Sequence, residues 1–391
     1  MRKVIVLAAL ALLAASGGRA TSAPAAIDGN GTAGAVRPFS VQYMNGAGTV
    51  SLTQALDDAR AFDVIVALPK VYSGSVAAMK QANPKLKLFV YAKGPFTRDT
   101  SLPEGAYSHD ASGNRIQGVQ YPTWLLDPTS PDAISAQVAA ARSLLTKSGY
   151  DGVFLDTLGP AALNLGFVEA LPVNPTTGLT WTASDWMTAT ANFAGQIATD
   201  LGRPTIGNGL RDGKNYFTSG TNQLLQTSMV GAMAEAWLRG ATNSITSYPK
   251  EAIWKQNVDA VVDAGAHDKS FLAVTKVWTT GTQAQKDAWY KYTVASFLLA
   301  NDGKAYLSFS YDNGDATVAY KWGRLNLGAP TGPYAKVSGV YQRSFSAGRV
   351  LVNPTTSTFT VPLGGTYKKP SGTLATSVTL GPNTAEILTT P

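Results

Sequence analysis

The sequence predicts an α/β protein: a parallel (β/α)8 TIM barrel followed by a small all-β sandwich module. Two observations carry this. From Arg37 to about Asp312, short β-rich apolar runs alternate with stretches whose apolar residues recur at helical spacing, the signature of βα units in a parallel sheet. Beyond Asp312 the helical spacing stops, and short alternating runs separated by Gly, Pro and Asn replace it. Eight βα units in about 270 residues suit a closed barrel, with an open doubly wound sheet as the alternative.

The expected barrel strands are 39–44, 63–68, 87–92, 152–158, 204–208, 231–237, 271–277 and 305–311. Helices are expected at 52–61, 75–82, 131–148, 184–201, 249–264 and 282–301, with Ser184 before Asp185 and Thr282 before Gln283 as N-caps. The later strands are expected at 340–345, 349–353, 358–362, 376–380 and 384–388. This divides the chain into a barrel over 38–325 and a β-sandwich over 334–391, with the boundary between Asp312 and Pro333.

The first residues read differently. Arg2 and Lys3 precede an apolar run from Val4 to Ala15, which ends in small residues around Ala20 and Ala23. That run is too short for a permanent membrane span, and residues 1–23 read as a cleavable signal peptide of a secreted or periplasmic protein. Residues 24–37, mostly Gly, Ala, Thr and Asn, read as a flexible leader. Gly29, Gly31 and Gly34 spell a dinucleotide-binding pattern there, but no strand precedes them and no helix follows, so the match is read as chance.

The chain has no cysteine, which excludes disulfides, thiolate metal sites and cysteine nucleophiles. Of the net charge of +7, Arg2, Lys3 and Arg19 fall in the signal region, which holds no acid, leaving +4. The basic residues are scattered rather than clustered, so nothing points to nucleic acid. His109 and His267 are the only histidines and fall in expected loops, so no metal or other cofactor is expected. Neither a Gly-x-Ser-x-Gly elbow nor a P-loop is present.

Barrel chemistry sits at the C-terminal strand ends, so the ionisable residues there are the candidates. Asp151 and Asp156 bracket the apolar strand Gly152-Val153-Phe154-Leu155. Asp151 falls at the N-terminal end and reads as a turn or cap residue. Asp156, at the exit, is expensive to desolvate without partners and reads as catalytic. Glu235, alone among Met233, Ala234, Ala236 and Trp237, is the second candidate; its structural alternative is a buried Glu paired to a lysine such as Lys276. Two carboxyl groups two strands apart can flank a bound sugar, and glycosidic cleavage needs such a pair. The apolar neighbours of Glu235 favour its protonated form as acid/base, leaving Asp156 as the ionised nucleophile. Tyr43, Tyr91, Lys93, Asp127, Asn208, Trp237, Lys276, Tyr311 and Asp312 fall near the expected mouth and supply rings and polar groups suited to pyranose binding. For Asp127, which opens an Asp-Pro-Thr-Ser-Pro segment, a helix N-cap is the structural alternative.

The segment Tyr150-Asp151-Gly152-Val153-Phe154-Leu155-Asp156, the strand with Glu235, Trp124-Leu125-Leu126-Asp127-Pro128 and the C-terminal β-module together resemble glycoside-hydrolase-like family fifteen. More distantly, the chain is similar to retaining α-glycosidases of the α-galactosidase and α-amylase type, although the full four-region amylase pattern is missing. The resemblance implies an Asp nucleophile after strand four and an acid/base after strand six, which fall on Asp156 and Glu235. It also implies an oligo- or polysaccharide substrate with α-linked bonds; the protein is expected to be a monomer. A non-catalytic carbohydrate-binding or cell-envelope barrel, and a transglycosylase using the same acids, are the alternatives.

Overall fold

The computed structural model describes residues 27, 31–41, 48–311 and 325–391. Eight parallel strands pair in chain order: β1 (Phe39–Val41), β2 (Val64–Ala67), β3 (Lys87–Lys93), β4 (Gly152–Asp156), β5 (Thr205–Asn208), β6 (Gly231–Ala234), β7 (Ser270–Lys276) and β8 (Tyr306–Ser310). Leu307 bridges Pro38 in parallel sense and donates its N–H to the Arg37 carbonyl at 2.9 Å, which brings β8 back against β1 and closes the barrel.

Alternate residues of a strand face opposite sides, and in this barrel the two sides are two different cores. Phe39, Val64, Val66, Phe89, Phe154, Ile206, Met233, Leu272, Val274 and Tyr306 form one buried cluster inside the ring. The intervening Ile65, Val90, Val153, Leu155, Ala232, Ala273 and Leu307 belong to the larger cluster beneath the helices. Strands buried on both faces therefore read as continuous apolar runs.

The helices are α1 (Leu52–Ala61), α2 (Val76–Ala82), α3 (Pro131–Ser148), α4 (Ala183–Leu201), α5 (Gly213–Thr218), α6 (Glu251–Ala266) and α7 (Gln283–Ala300). Their ends follow local chemistry. Ser130 caps α3 and Pro131 opens it, and Gly149, at φ 68°, closes it in the left-handed region. A full capping box of Thr282 and Gln285 opens α7 as expected. For α4 the cap is Thr182, whose hydroxyl accepts from the Asp185 N–H at 3.1 Å, two residues before the expected Ser184. The short α5 was not anticipated, because six residues hold too few turns for periodicity to show.

The N-terminal face is sealed. Ile27 lies buried in the inner cluster and donates its N–H to the Ser270 hydroxyl at 3.1 Å. The expectation of a flexible leader fails over 31–37: Val36 joins the core, and buried Arg37 donates to the Gly303 carbonyl at 2.6 Å and the Tyr306 hydroxyl at 2.8 Å. Small residues were read there as nothing to bury, whereas they let the segment lie flat against the barrel floor. Asp151, also on this face, is structural: it accepts from the Leu88 N–H at 2.7 Å and pairs with Lys80.

Six antiparallel strands follow: β9 (Ala335–Val337), β10 (Val340–Phe345), β11 (Gly348–Asn353), β12 (Phe359–Lys368), β13 (Leu374–Leu380) and β14 (Thr384–Thr389), in the order β9-β10-β11-β14-β12-β13. A single residue pair, Lys368 with Thr389, joins β12 to β14. The sheet bends over at that point, so that Val340, Leu351 and Leu388 of one half share a core with Val361, Leu363, Val378 and Leu380 of the other. The module docks on α6 and α7. Tyr341 packs on Trp254 with ring centres 4.7 Å apart and donates to Glu251 at 2.8 Å, and Arg343 reaches the carbonyls of Leu298, Leu299 and Asn301 at the end of α7.

Candidate active site

The inward positions of the barrel continue upward by twos. Above Phe89 come Tyr91 and Lys93; above Phe154 comes Asp156; above Ile206, Asn208; above Met233, Glu235; above Val274, Lys276; above Tyr306, Ser308 and Ser310. The same parity that fills the ring with apolar side chains thus ends each strand in a polar one at the mouth.

Five of the expected residues come together there. The Asn208 side-chain amide donates to Asp156 Oδ1 at 2.8 Å and to Glu235 Oε2 at 3.0 Å. Because the two oxygens share one nitrogen, they are at most about 5.8 Å apart, and about 5 Å apart if each takes one hydrogen of the trigonal amide. The Tyr91 hydroxyl donates to Asp156 Oδ2 at 2.8 Å, and Lys276 Nζ lies 2.5 Å from Glu235 Oε1.

The backbone holds this pair rigidly. The Gly94 N–H donates to the Asp156 carbonyl at 2.9 Å, and a Cβ at residue 94 would fall 2.2 Å from that oxygen, so only glycine allows the approach. Thr157, β-branched, sits at φ 60° and turns its N–H onto Asp156 Oδ1 at 2.8 Å. Strain of this kind, about 1–3 kcal/mol, persists where surrounding structure enforces it and clusters at functional sites.

The surroundings push the two carboxyl groups in opposite directions. Burial pushes the Asp156 carboxyl up, the bonds from Asn208 and Tyr91 offset part of that, and the charge on Glu235 adds to it. Desolvation raises the Glu235 carboxyl as well, but the charge and hydrogen bond of Lys276, with the bond from Asn208, outweigh it and hold that carboxyl below the ordinary range. Its chain neighbours suggested an apolar setting; its partners across the barrel decide the matter.

The remaining expected residues divide. Lys93 lies at the same mouth, its ammonium 5.4 Å from the centre of the Tyr121 ring. Asp127 is buried, and its Oδ1 accepts from the N–H and hydroxyl of Thr129 at 2.8 and 2.7 Å, while Ser130 caps the helix. Trp237 is fully buried under the helices, donating to the Asn257 carbonyl at 2.8 Å, because β6 ends at Ala234 and the chain turns, with Leu238 at φ 62°. Tyr311 has the outward parity of Phe309, meets that ring at 5.2 Å and reaches Asp287 of α7 at 3.3 Å, so it faces away from the acids. Tyr43 and Asp312 lie outside the described residues.

Two mouth residues were missed. Trp278 stands two positions past Lys276, whose ammonium is 4.8 Å from its ring, and its indole N–H donates to Ser310. The inward parity of β7 was the available signal. Tyr121 belongs to the long β3–α3 excursion, and no local pattern places such a loop residue. Its loop is tied down by Gly118 N–H to Thr123 C=O at 2.8 Å and Val119 N–H to Phe167 C=O at 3.0 Å. Two carboxyl groups pushed in opposite directions and bridged by one amide, with aromatic rings nearby, can divide proton donation and nucleophilic attack between them.

Solved structures share this fold at low identity. The maltogenic α-amylase AmyB of Thermotoga neapolitana is 8% identical with a TM-score of 0.53, covering 90% of this chain and 98% of its own. The dextranase FjDex31A of Flavobacterium johnsoniae is 11% identical with a TM-score of 0.51, covering 94% and 52%. The glycoside hydrolase domain of PelA from Pseudomonas aeruginosa is 14% identical with a TM-score of 0.44, covering 72% and 98%. No curated protein sequence matches the chain. The model of hypothetical glycosyl hydrolase family 15 matches residues 80–349, a span that contains both acids, Asn208 and Lys276. With more than half of its 391 residues inside that match, the chain belongs to hypothetical glycosyl hydrolase family 15 and is, by that membership, a glycoside hydrolase.

Proposed function

We propose that this protein cleaves α-linked O-glycosidic bonds with retention of configuration, using Asp156 and Glu235. The observation that carries the reading is the shared Asn208 amide, which keeps one oxygen of each carboxyl group within about 5.8 Å of the other, below the range of inverting enzymes. Retaining glycosidases hold their carboxyl groups at about 5–5.5 Å, and inverting ones at about 6.5–9.5 Å to admit a water. The charge states favour Glu235 as nucleophile and Asp156 as proton donor, opposite to the roles implied by family resemblance. In that scheme Glu235 attacks the anomeric carbon as the glycosidic C–O bond breaks and Asp156 protonates the departing oxygen. Water then attacks the glycosyl ester, giving its proton to Asp156 and releasing Glu235. The preference for α-linked bonds rests on the resemblance to retaining α-glycosidases. The basic, then apolar, then small-residue pattern of 1–23 supports export.

The test is turnover of α- and β-linked glycans by the wild type, Asp156→Ala and Glu235→Ala, with the anomer of the first product read by NMR. Retention is expected. Added azide should give a glycosyl azide of retained configuration with the variant lacking the acid/base and of inverted configuration with the variant lacking the nucleophile, which settles the roles. Near-normal activity of both variants on a natural glycan would refute the mechanism and favour a carbohydrate-binding protein.

A further inference from the structure

The mouth carries two lysines on the inner face, and they are not equivalent. Lys276 is ion-paired with Glu235. Lys93, in register with Asp156 across β3 and β4, is half-buried, yet among the described residues its ammonium makes no ion pair and donates no side-chain hydrogen bond; it rests beside the Tyr121 ring. Arg98, five residues further along the same excursion, is exposed and likewise without an ion pair among the described residues. Burial, followed by the nearby charge of Arg98, lowers the pKa of Lys93 against the opposing pull of Asp156. A half-buried ammonium deprived of acceptors is unfavourable by itself and favourable once an anion arrives.

Tyr121 supplies the other half of a subsite. Its ring is 59% exposed on a loop braced against the neighbouring excursion, so an apolar ring face is presented with little freedom to lose. We propose that Lys93, Arg98 and Tyr121 form a subsite for a pyranose bearing an anionic group, a carboxylate or a sulfate ester, so that the substrate is an acidic glycan. The sugar face lies on Tyr121 and the anion meets Lys93 and Arg98. This rests on the glycosidase reading of Asp156 and Glu235 and adds the class of glycan.

The test is affinity electrophoresis of the full chain in native gels containing polygalacturonate, its carboxyl-reduced neutral counterpart, dextran sulfate or neutral dextran. At least one acidic glycan should bind about tenfold more tightly than its neutral match, and which one does so identifies carboxylate or sulfate. Lys93→Met and Arg98→Met should each remove most of that preference, lowering acidic binding far more than neutral binding, Lys93→Arg should keep it, and Tyr121→Ala should weaken both kinds. Lys147→Met, on the last turn of α3 at the opposite end of the barrel, controls for general attraction of polyanions and should change nothing. Circular dichroism confirms that each variant is folded. Equal binding of acidic and neutral glycans, no binding of any, or a preference that survives Lys93→Met and Arg98→Met overturns the subsite. None of these outcomes touches the loss of turnover in the Asp156 and Glu235 variants, which tests the glycosidase reading separately.

Discussion

Replacing Lys276 by methionine removes the cation from Glu235 while keeping the length of the unbranched side chain. In the native pair the Lys276 side chain is 10% exposed and that of Glu235 39%, so the interaction is neither fully buried nor fully screened. At an effective dielectric of about 40, charges about 4 Å apart attract by about 2 kcal/mol, equivalent to about 1.5 pKa units. Because Lys276 holds the Glu235 carboxyl down, its loss moves that pKa up by about this much. If Glu235 works ionised, as nucleophile, the acidic limb of the pH dependence of kcat/KM shifts to higher pH by about 1–2 units and the basic limb stays. If Glu235 works protonated, as acid/base, the basic limb moves up instead. The assay is the kcat/KM profile of wild type and Lys276→Met on one glycan, with folding checked at each pH. Two limbs that both stay in place in a folded variant would refute the argument that Glu235 titrates in the reaction.

The raised carboxyl of Asp156 makes a linked prediction about stability. A group whose pKa rises on folding stabilises the fold below its unfolded value and loses that contribution as pH climbs through the folded one. Asp156→Asn should therefore raise the melting temperature at pH 7, by about 2–4 °C per kcal/mol relieved, and the gain should vanish below about pH 4, which scanning calorimetry can follow. Trp237→Phe loses the bond to Asn257 inside the helix layer and should cost about 1–2 kcal/mol in urea unfolding with KM unchanged. A raised KM would mean that Trp237 touches substrate after all. Chelation with EDTA should leave turnover intact while the protein stays folded; activity lost on chelation and restored by one ion would show that the acids do not act alone.

Much of this molecule was legible because it obeys short-range rules. The apolar runs at β2, β3, β4 and β7 stand where expected, since a strand buried on both faces must be apolar throughout. Asp156 and Glu235 were found because each ends such a run. Parity along the strands could have separated Lys276 and Trp278, which face inward, from Tyr311, which faces out, had it been applied past the strand ends. It could not have placed Trp237, because a turn after Ala234 resets the direction of the chain. The protonation of Glu235 was misjudged for a different reason. Its neighbours in sequence are small and apolar, but its pKa answers to Lys276, 41 residues away, the pairing expected as its structural alternative, and to Asn208, a contact that no local pattern signals. Asp127 illustrates a local motif read at the wrong scale: the Asp-Pro-Thr-Ser-Pro segment does start a helix, but Ser130 does the capping and Asp127 folds back on Thr129.

The docking of the β-module on α6 and α7 limits what can be done with this chain as a set of parts. Arg343 supplies hydrogen bonds to three carbonyls at the C-terminal end of α7, where four such groups lack partners within the helix and the helix dipole is negative. Tyr341 covers the ring of Trp254, itself fully buried in α6. A barrel shortened before Ala335 would expose that indole to water and leave the last turn of α7, which leads directly into β8, to fray. The module is consequently more than a surface appendage: trimming it away uncovers part of the barrel's own helix layer.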